Sequence, residues 1–188
     1  AGGSWEEEDD HSTHSHASHP EEGIDPHLWL GPAQAKRIAE FTVAALSEAD
    51  PDNRDLYRSN GDKLQQRLDA LQLELSEKLA PVADVPYMVF HDAFQYFEHA
   101  FGLNVGGSVT LNPERSPGIR RILAIRSRIK QLGARCVFSE PQFEPRLIAT
   151  VIEDTGAATG TLDPIGAALP EGADTYFILM RNLADALS

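Results

Sequence analysis

Two histidines and a carboxylate, each at the edge of an expected element, are the residues of this chain best suited to chemistry. His91 ends the apolar run Met88-Val89-Phe90, and a helix-like stretch follows it. In an α/β protein that junction lies at the carboxyl edge of the sheet, where ligand sites gather. His27 stands in Asp25-Pro26-His27-Leu28-Trp29-Leu30, a turn just ahead of a helix. Asp163 follows an apolar stretch and precedes Pro164, which biases it to extended backbone and projects it from the strand end. Two imidazoles and a carboxylate suit a borderline divalent cation such as Zn2+. Glu140, in Ser139-Glu140-Pro141-Gln142-Phe143, follows a third β-like stretch in the same topological position. Metal-bound imidazoles usually donate their other N–H to a carboxylate or carbonyl, so Glu140 is the expected partner behind a ligand. Taken singly, each residue has a plainer reading: a hydrogen-bonded histidine at a strand end, or a turn aspartate. His99, two helical turns beyond His91, is expected to face solvent or its own helix.

A second histidine cluster lies near the N-terminus. Residues 1–24 combine small residues, the acidic run Glu6-Glu7-Glu8-Asp9-Asp10, and His11, His14, His16 and His19. They have no apolar periodicity, so a flexible loop is expected, with weak auxiliary zinc binding. The net charge is −13. An acidic surface repels phosphate backbones, so nucleic acid is excluded as a partner. Nucleophilic chemistry lacks its signatures: there is no Gly-x-Ser-x-Gly elbow, no phosphate-binding Gly-Lys-Ser/Thr loop and no His-Glu-x-x-His. Gly106-Gly107 is an isolated pair, and the single cysteine, Cys136, is read as lying mid-strand. No apolar run approaches the roughly 20 residues that span a bilayer. The sequence opens without a basic or apolar leader pattern, as a mature secreted protein also would.

An alternating series of elements must position these groups. Pro32 suits a first helical turn, and Ala35, Ile38, Ala39, Val43 and Leu46 form a stripe to about Glu48. After Asp50-Pro51-Asp52, Asp52 or Asn53 is expected to cap a long helix bearing Leu64, Leu68, Leu71, Leu75 and Leu79 and ending at Pro81. About 27 residues at roughly 1.5 Å each span roughly 40 Å. Such a helix either joins two lobes or lies as an amphipathic surface helix. Strands are then expected at Tyr87–Phe90, Val105–Leu111, Cys136–Phe138 and Ala158–Leu162. Helices fall between them: Asp92–Phe101; one capped by Ser116, with Ile119, Ile122, Leu123, Ile129 and Leu132 as its stripe and Gly133 as its stop; and one from Pro145 to Gly156. A final helix is capped by Asp174. Strands alternating with helices imply an α/β fold, a four-stranded parallel sheet with flanking helices, preceded by the long helix. Residues 25–80 have no sheet of their own, so they read as the end of a preceding lobe.

Four motifs in order strongly resemble the periplasmic zinc-binding receptors of ABC transporters, the ZnuA type. They are Asp-Pro-His-Leu-Trp-Leu (25–30), Val-Phe-His-Asp-Ala-Phe-Gln-Tyr-Phe (89–97), Ser-Glu-Pro-Gln-Phe (139–143) and Gly-Thr-Leu-Asp-Pro-Ile-Gly (160–166). The acidic His-rich stretch ahead of the first motif is also like that family. The resemblance implies a helical-backbone metal receptor: two α/β lobes joined by one rigid helix, with the metal between them. Residues 1–24 would then be the His-rich loop, 25–50 a remnant of the N-terminal lobe, 51–81 the linking helix and 82–188 the C-terminal lobe. His27 and His91 would be zinc ligands, and Asp163 a ligand or close neighbour. A further histidine normally comes from the first lobe, so that missing segment is an implied partner and the site here should be incomplete. The implied role is high-affinity zinc capture in the periplasm and delivery to the membrane permease of an ABC transporter, without catalysis. Members often pair the cysteine of the third strand with one near the C-terminus. Cys136 has no such partner in this sequence, which places any parent partner beyond Ser188.

Three other readings stay open at this point. A zinc-dependent hydrolase would use the same His/Asp cluster with Glu140 as general base, and would need an open coordination position and a substrate cleft. A manganese receptor of the same fold would favour more carboxylate at the site. A structural α/β domain would carry the histidines incidentally. Imidazole must be neutral to ligate, so metal binding should weaken as pH falls through about 6.5.

Overall fold

The run Tyr87-Met88-Val89-Phe90 is apolar at every position because both faces of its strand are covered. The computed structural model describes residues 25–110, 118–142 and 145–188. Strands β1 (Tyr87–His91), β2 (Val105–Thr110), β3 (Cys136–Ser139) and β4 (Ala158–Thr161) form one sheet in the order β2-β1-β3-β4. Every pairing is parallel. Tyr87, Val89 and Phe138 point into one core, and Met88, Phe90 and Val137 into the other. Strand order reverses between β1 and β3. Connections leave that pair in opposite directions and open a crevice at its carboxyl ends.

The first face is covered by α2 (Arg54–Leu79), α3 (Gln95–Phe101) and α6 (Thr175–Leu187). On α2, Leu68, Leu71, Leu75 and Leu79 are all buried. Burial contributes about 1.5–3 kcal/mol for each such leucine, so these four fix the helix to the sheet. A row of ion pairs joins α2 to α6: Arg67 to Asp174, Glu74 to Arg181 and Lys78 to Asp185. The partners advance together along both helices, so α6 runs parallel to α2. Asp174 stands at the start of α6 as expected, but its carboxylate engages Arg67 and makes no capping bond. Asn53 likewise precedes α2 without capping it. Its amide donates to Asp50 at 2.8 Å, as does the Tyr57 hydroxyl.

The second face is covered by α4 (Ile119–Leu132) and α5 (Pro145–Ile152). Ile125 and Ile129 carry the packing of α4, while Ile119 and Leu123 are exposed. This corrects the expected stripe. At 3.6 residues per turn, Leu123 lies roughly 160° around the helix from Ile125, and Ile119 is the first residue of the helix. Gly133 ends α4 at φ 61° and donates to Ile129 and Lys130 carbonyls, a left-handed cap of the expected kind. The expected Ser116 cap falls outside the described residues, as do His11, His14, His16 and His19. Gly106-Gly107 is a bulge in β2: the register moves from Tyr87↔Val105 to Val89↔Ser108. A Cβ on Gly106 would meet Leu132 Cδ1 at 2.5 Å.

Ahead of the sheet, α1 (Pro32–Ala49) packs antiparallel on α2. Only part of its stripe is covered: Ala39 is buried, yet Ile38 and Leu46 stay exposed. They line an apolar groove of about 640 Å³ with Val43, Tyr57, Leu64 and Phe177. Helix α3 starts at Gln95, three residues later than expected. Asp92–Phe94 instead form a turn in which Ala93 N–H donates to His91 C=O at 2.9 Å. Cys136 is the first residue of β3, not a mid-strand residue, and is half-buried.

Candidate metal centre

Strand β1 delivers His91 to the crevice where the strand order reverses, and β3 delivers Glu140 to the same place. His91 Nδ1 lies 2.8 and 3.0 Å from the two Glu140 oxygens. The Glu140 side chain is 2% exposed and that of His91 14%. Opposite an ionised carboxylate, which only accepts, Nδ1 carries the proton and Nε2 is the ring nitrogen left with a lone pair.

His27 arrives by a different route and has the same arrangement. It precedes a 3₁₀ turn, Leu28–Leu30. Its Nδ1 lies 2.7 Å from Asp25 Oδ1, and the same oxygen accepts its backbone N–H at 3.0 Å. The turn is pinned at three points. Leu30 is wholly buried, Trp29 Nε1 donates to the Pro164 carbonyl at 2.9 Å, and the Tyr96 hydroxyl donates to the Asp25 carbonyl at 3.2 Å. The rings of His27 and His91 meet edge to face, 5.1 Å between centroids. Two imidazoles from segments 64 residues apart therefore stand side by side, each with a carboxylate on Nδ1.

Asp163 lies in the loop held by Trp29, yet its Oδ1 is engaged locally by Gln142 Nε2 at 2.9 Å and Ile165 N–H at 3.1 Å. Burial alone would push its carboxyl up. The bonds from Gln142 and the Gly166, Ile165 and Ala167 amides outweigh that and hold it below the usual range. Among the described residues no three His, Cys, Asp or Glu side chains converge as a metal site. The structure sets His27 beside His91, with Asp25 behind the first and Glu140 behind the second; Asp163 belongs to the loop that Trp29 holds through the Pro164 carbonyl. His99 is exposed, as expected.

Three further carboxylates, Asp25, Asp92 and Glu98, act on one another here. Asp25 escaped the sequence reading, although an aspartate two residues ahead of an N–H it can accept is an Asx-turn signal. Asp92 is pushed up by burial and by Asp25, against pulls from Gln95, His91 and His27. Glu98 is buried on α3 and accepts from the Tyr87 hydroxyl at 3.2 Å. Its carboxyl is raised to about 7: burial pushes it up most, the Tyr87 bond pulls it down, and Asp92 and Asp25 add to the rise. Its signal was its place on the face of Phe94, Phe97 and Phe101, at spacings of three and four.

Residues 2–188 match the family described as "ZnuA: Zinc-uptake complex component A periplasmic". The "High-affinity zinc uptake system protein ZnuA" of Brucella abortus (strain 2308) is 50% identical over 163 residues, 87% of this chain and 49% of that protein. The chain thus spans about half the length of the curated relatives it matches. Among solved structures, a mutant of the laminin-binding adhesin Lmb from Streptococcus agalactiae has a TM-score of 0.76 at 28% identity, covering 87% of this chain and 61% of that one. A crystal structure of ZnuA has a TM-score of 0.74 at 28% identity, covering 88% of this chain and 61% of that one.

Proposed function

Because the chain belongs to the ZnuA family of periplasmic zinc-uptake components, we propose that it captures Zn2+ in the periplasm and passes it to the membrane permease of an ABC transporter. The observation that carries this reading is the His27–His91 pair, with Nδ1 of each ring on a carboxylate and the rings 5.1 Å apart. Carboxylate-backed imidazoles are the form in which histidine ligates zinc, and a nitrogen pair favours Zn2+ over Mn2+. Zinc here is cargo. Two more donors complete a four-coordinate site. Asp163 is the candidate within this chain, reached by giving up its bond to Gln142. Another would come from the lobe that makes up the rest of the relatives' length.

The same proposal assigns residues 25–50 to that first lobe, 51–81 to the linking helix and 82–188 to the second lobe. The apolar groove between α1 and α2 supports it, as does the buried Tyr176 hydroxyl at its edge, which has no hydrogen-bond partner among the described residues. Cys136 shares a cavity with Ala186, Leu187 and Ser188, which supports a disulfide partner beyond Ser188 in the parent. The hydrolase reading fits less well. Glu140, its general base, is held on His91 and shut away from solvent. The test is calorimetric titration of Zn2+ and Mn2+ into wild type, His27→Ala and His91→Ala. Each variant should lose zinc affinity by an order of magnitude or more. Unchanged affinity in both refutes the assignment. Deleting residues 5–22 should remove only weak additional sites.

A further inference from the structure

Asp25 is held in a way that its neighbours do not explain. Its side chain is 12% exposed. Oδ1 takes both donors of His27, the backbone N–H and Nδ1. Oδ2 is buried and has no hydrogen-bond partner among the described residues. An unsatisfied buried acceptor is destabilising, and more so when charged. A carboxylate serving only the turn would need one oxygen and no charge; asparagine or serine would close the same turn. Glu140, in the matching position behind His91, has both oxygens on the ring.

We infer that Asp25 is a positioning residue for His27: its charge holds the ring as the Nδ1–H tautomer and aims Nε2 into the space shared with His91. The inference rests on the zinc-binding reading. The chemistry is that of an acceptor-only group. An ionised carboxylate 2.7 Å from Nδ1 admits only a ring that carries its proton there. Pro26 fixes the backbone between the two residues, so ring and carboxylate keep their relation whether or not a cation is present. A cation on Nε2 would also sit one imidazole away from a carboxylate with an unsatisfied oxygen, and the ring would transmit that charge to it.

The experiment compares wild type, Asp25→Asn, Asp25→Ala and His27→Ala in the longest available chain. It reads three quantities: zinc affinity by calorimetry, apo thermal stability, and the His27 tautomer from imidazole ¹⁵N shifts in metal-free protein. Asp25→Asn keeps the turn acceptor and removes the charge; it should weaken zinc by about 10–100-fold, the usual cost of losing such a partner. Its apo melting temperature should hold or rise, since the buried charge is gone. Asp25→Ala should in addition shift His27 to the Nε2–H tautomer. Affinity equal to wild type in both Asp25 variants, while His27→Ala loses it, overturns the inference and leaves the zinc reading intact. A parallel fall in apo stability with the Nδ1–H tautomer retained in Asp25→Ala also overturns it, since that is a structural role. If His27→Ala binds zinc like wild type, the zinc reading itself fails, and the tautomer alone then decides the Asp25–His27 relation.

Discussion

Replacing Glu98 by glutamine should stabilise this protein at neutral and alkaline pH and change little in acid. Glu98 is 6% exposed, and among the described residues its side chain accepts from the Tyr87 hydroxyl at 3.2 Å. Burial raises its carboxyl from the ordinary 4.5 to about 7. The folded form therefore holds a proton that the unfolded chain releases between those values. Above about pH 7 the folded protein carries the full cost of a poorly solvated charge. As pH falls from 7 toward 4.5 the folded state binds one proton more than the unfolded state, so stability rises as pH falls. Below 4.5 both states are protonated and the effect is complete. The difference of 2.5 pH units corresponds to about 3 kcal/mol at roughly 1.4 kcal/mol per unit.

Glutamine has the same shape, keeps an acceptor for Tyr87 and cannot ionise. Urea unfolding of wild type and Glu98→Gln, run at half-unit steps from pH 4.5 to 8.5, isolates the term, because every other titrating group is common to both. The variant should be more stable by about 2–3 kcal/mol at pH 8, or roughly 4–12 °C in melting temperature at 2–4 °C per kcal/mol. The difference should shrink steadily below pH 7 and close only below about pH 4.5. A difference independent of pH would refute the reasoning, as would a wild type more stable than the variant at pH 8.

Three other outcomes follow from the packing. Leu75→Ala empties a wholly buried position between α2 and the sheet and should cost about 2–5 kcal/mol in urea unfolding; a loss under about 1 kcal/mol would mean that α2 is not anchored there. Gly160→Ala would put a Cβ 2.4 Å from Phe138 Cε1 and should destabilise by about 1–3 kcal/mol through displacement of that buried ring, again by urea midpoint. The Glu74–Arg181 pair is bidentate at 2.7 Å but exposed; a double-mutant cycle with alanine should give under about 1 kcal/mol, shrinking as salt is raised.

Much of this architecture is written in the sequence because burial on two sides leaves little choice. Tyr87–Phe90 has no polar residue to offer solvent, so it reads as a central parallel strand. Leu68, Leu71, Leu75 and Leu79 recur at helical steps and are all buried. Glu140 was readable as a partner for His91 because both stand at strand ends on the same edge of the sheet, and the two strands prove to be neighbours. The stripes of α1 and α4 were misread in part. Ile38, Leu46, Ile119 and Leu123 are apolar at helical spacing, yet periodicity does not say which apolar positions find a partner. Asp163 shows a different limit. Its type and place suggest a ligand or a close neighbour of the site, and Oδ1 here serves its own loop and Gln142; residue type alone does not separate the two uses.

The meeting of His27 with His91 is a consequence of helix lengths. Helices α1 and α2 run antiparallel, with Lys36 opposite Gln65 and Asp69, and Val43 opposite Gly61. The start of α1 therefore lies beside the middle of the leucine row on α2, near Leu71. The remaining turns of α2, from Leu71 to Leu79, carry the chain about 12 Å past that level at roughly 1.5 Å per residue. Strand β1 then returns it, with five residues at about 3.3 Å each giving roughly 17 Å. Outward and return legs nearly cancel, and His91 ends beside His27. The leucines that bury α2 thus set the distance between the two imidazoles. The Trp29–Pro164 and Tyr96–Asp25 bonds then fix the remaining freedom of the His27 turn. In the proposed site both imidazoles are held by the fold itself, so the ordering entropy of the pair is a cost of folding and not of binding.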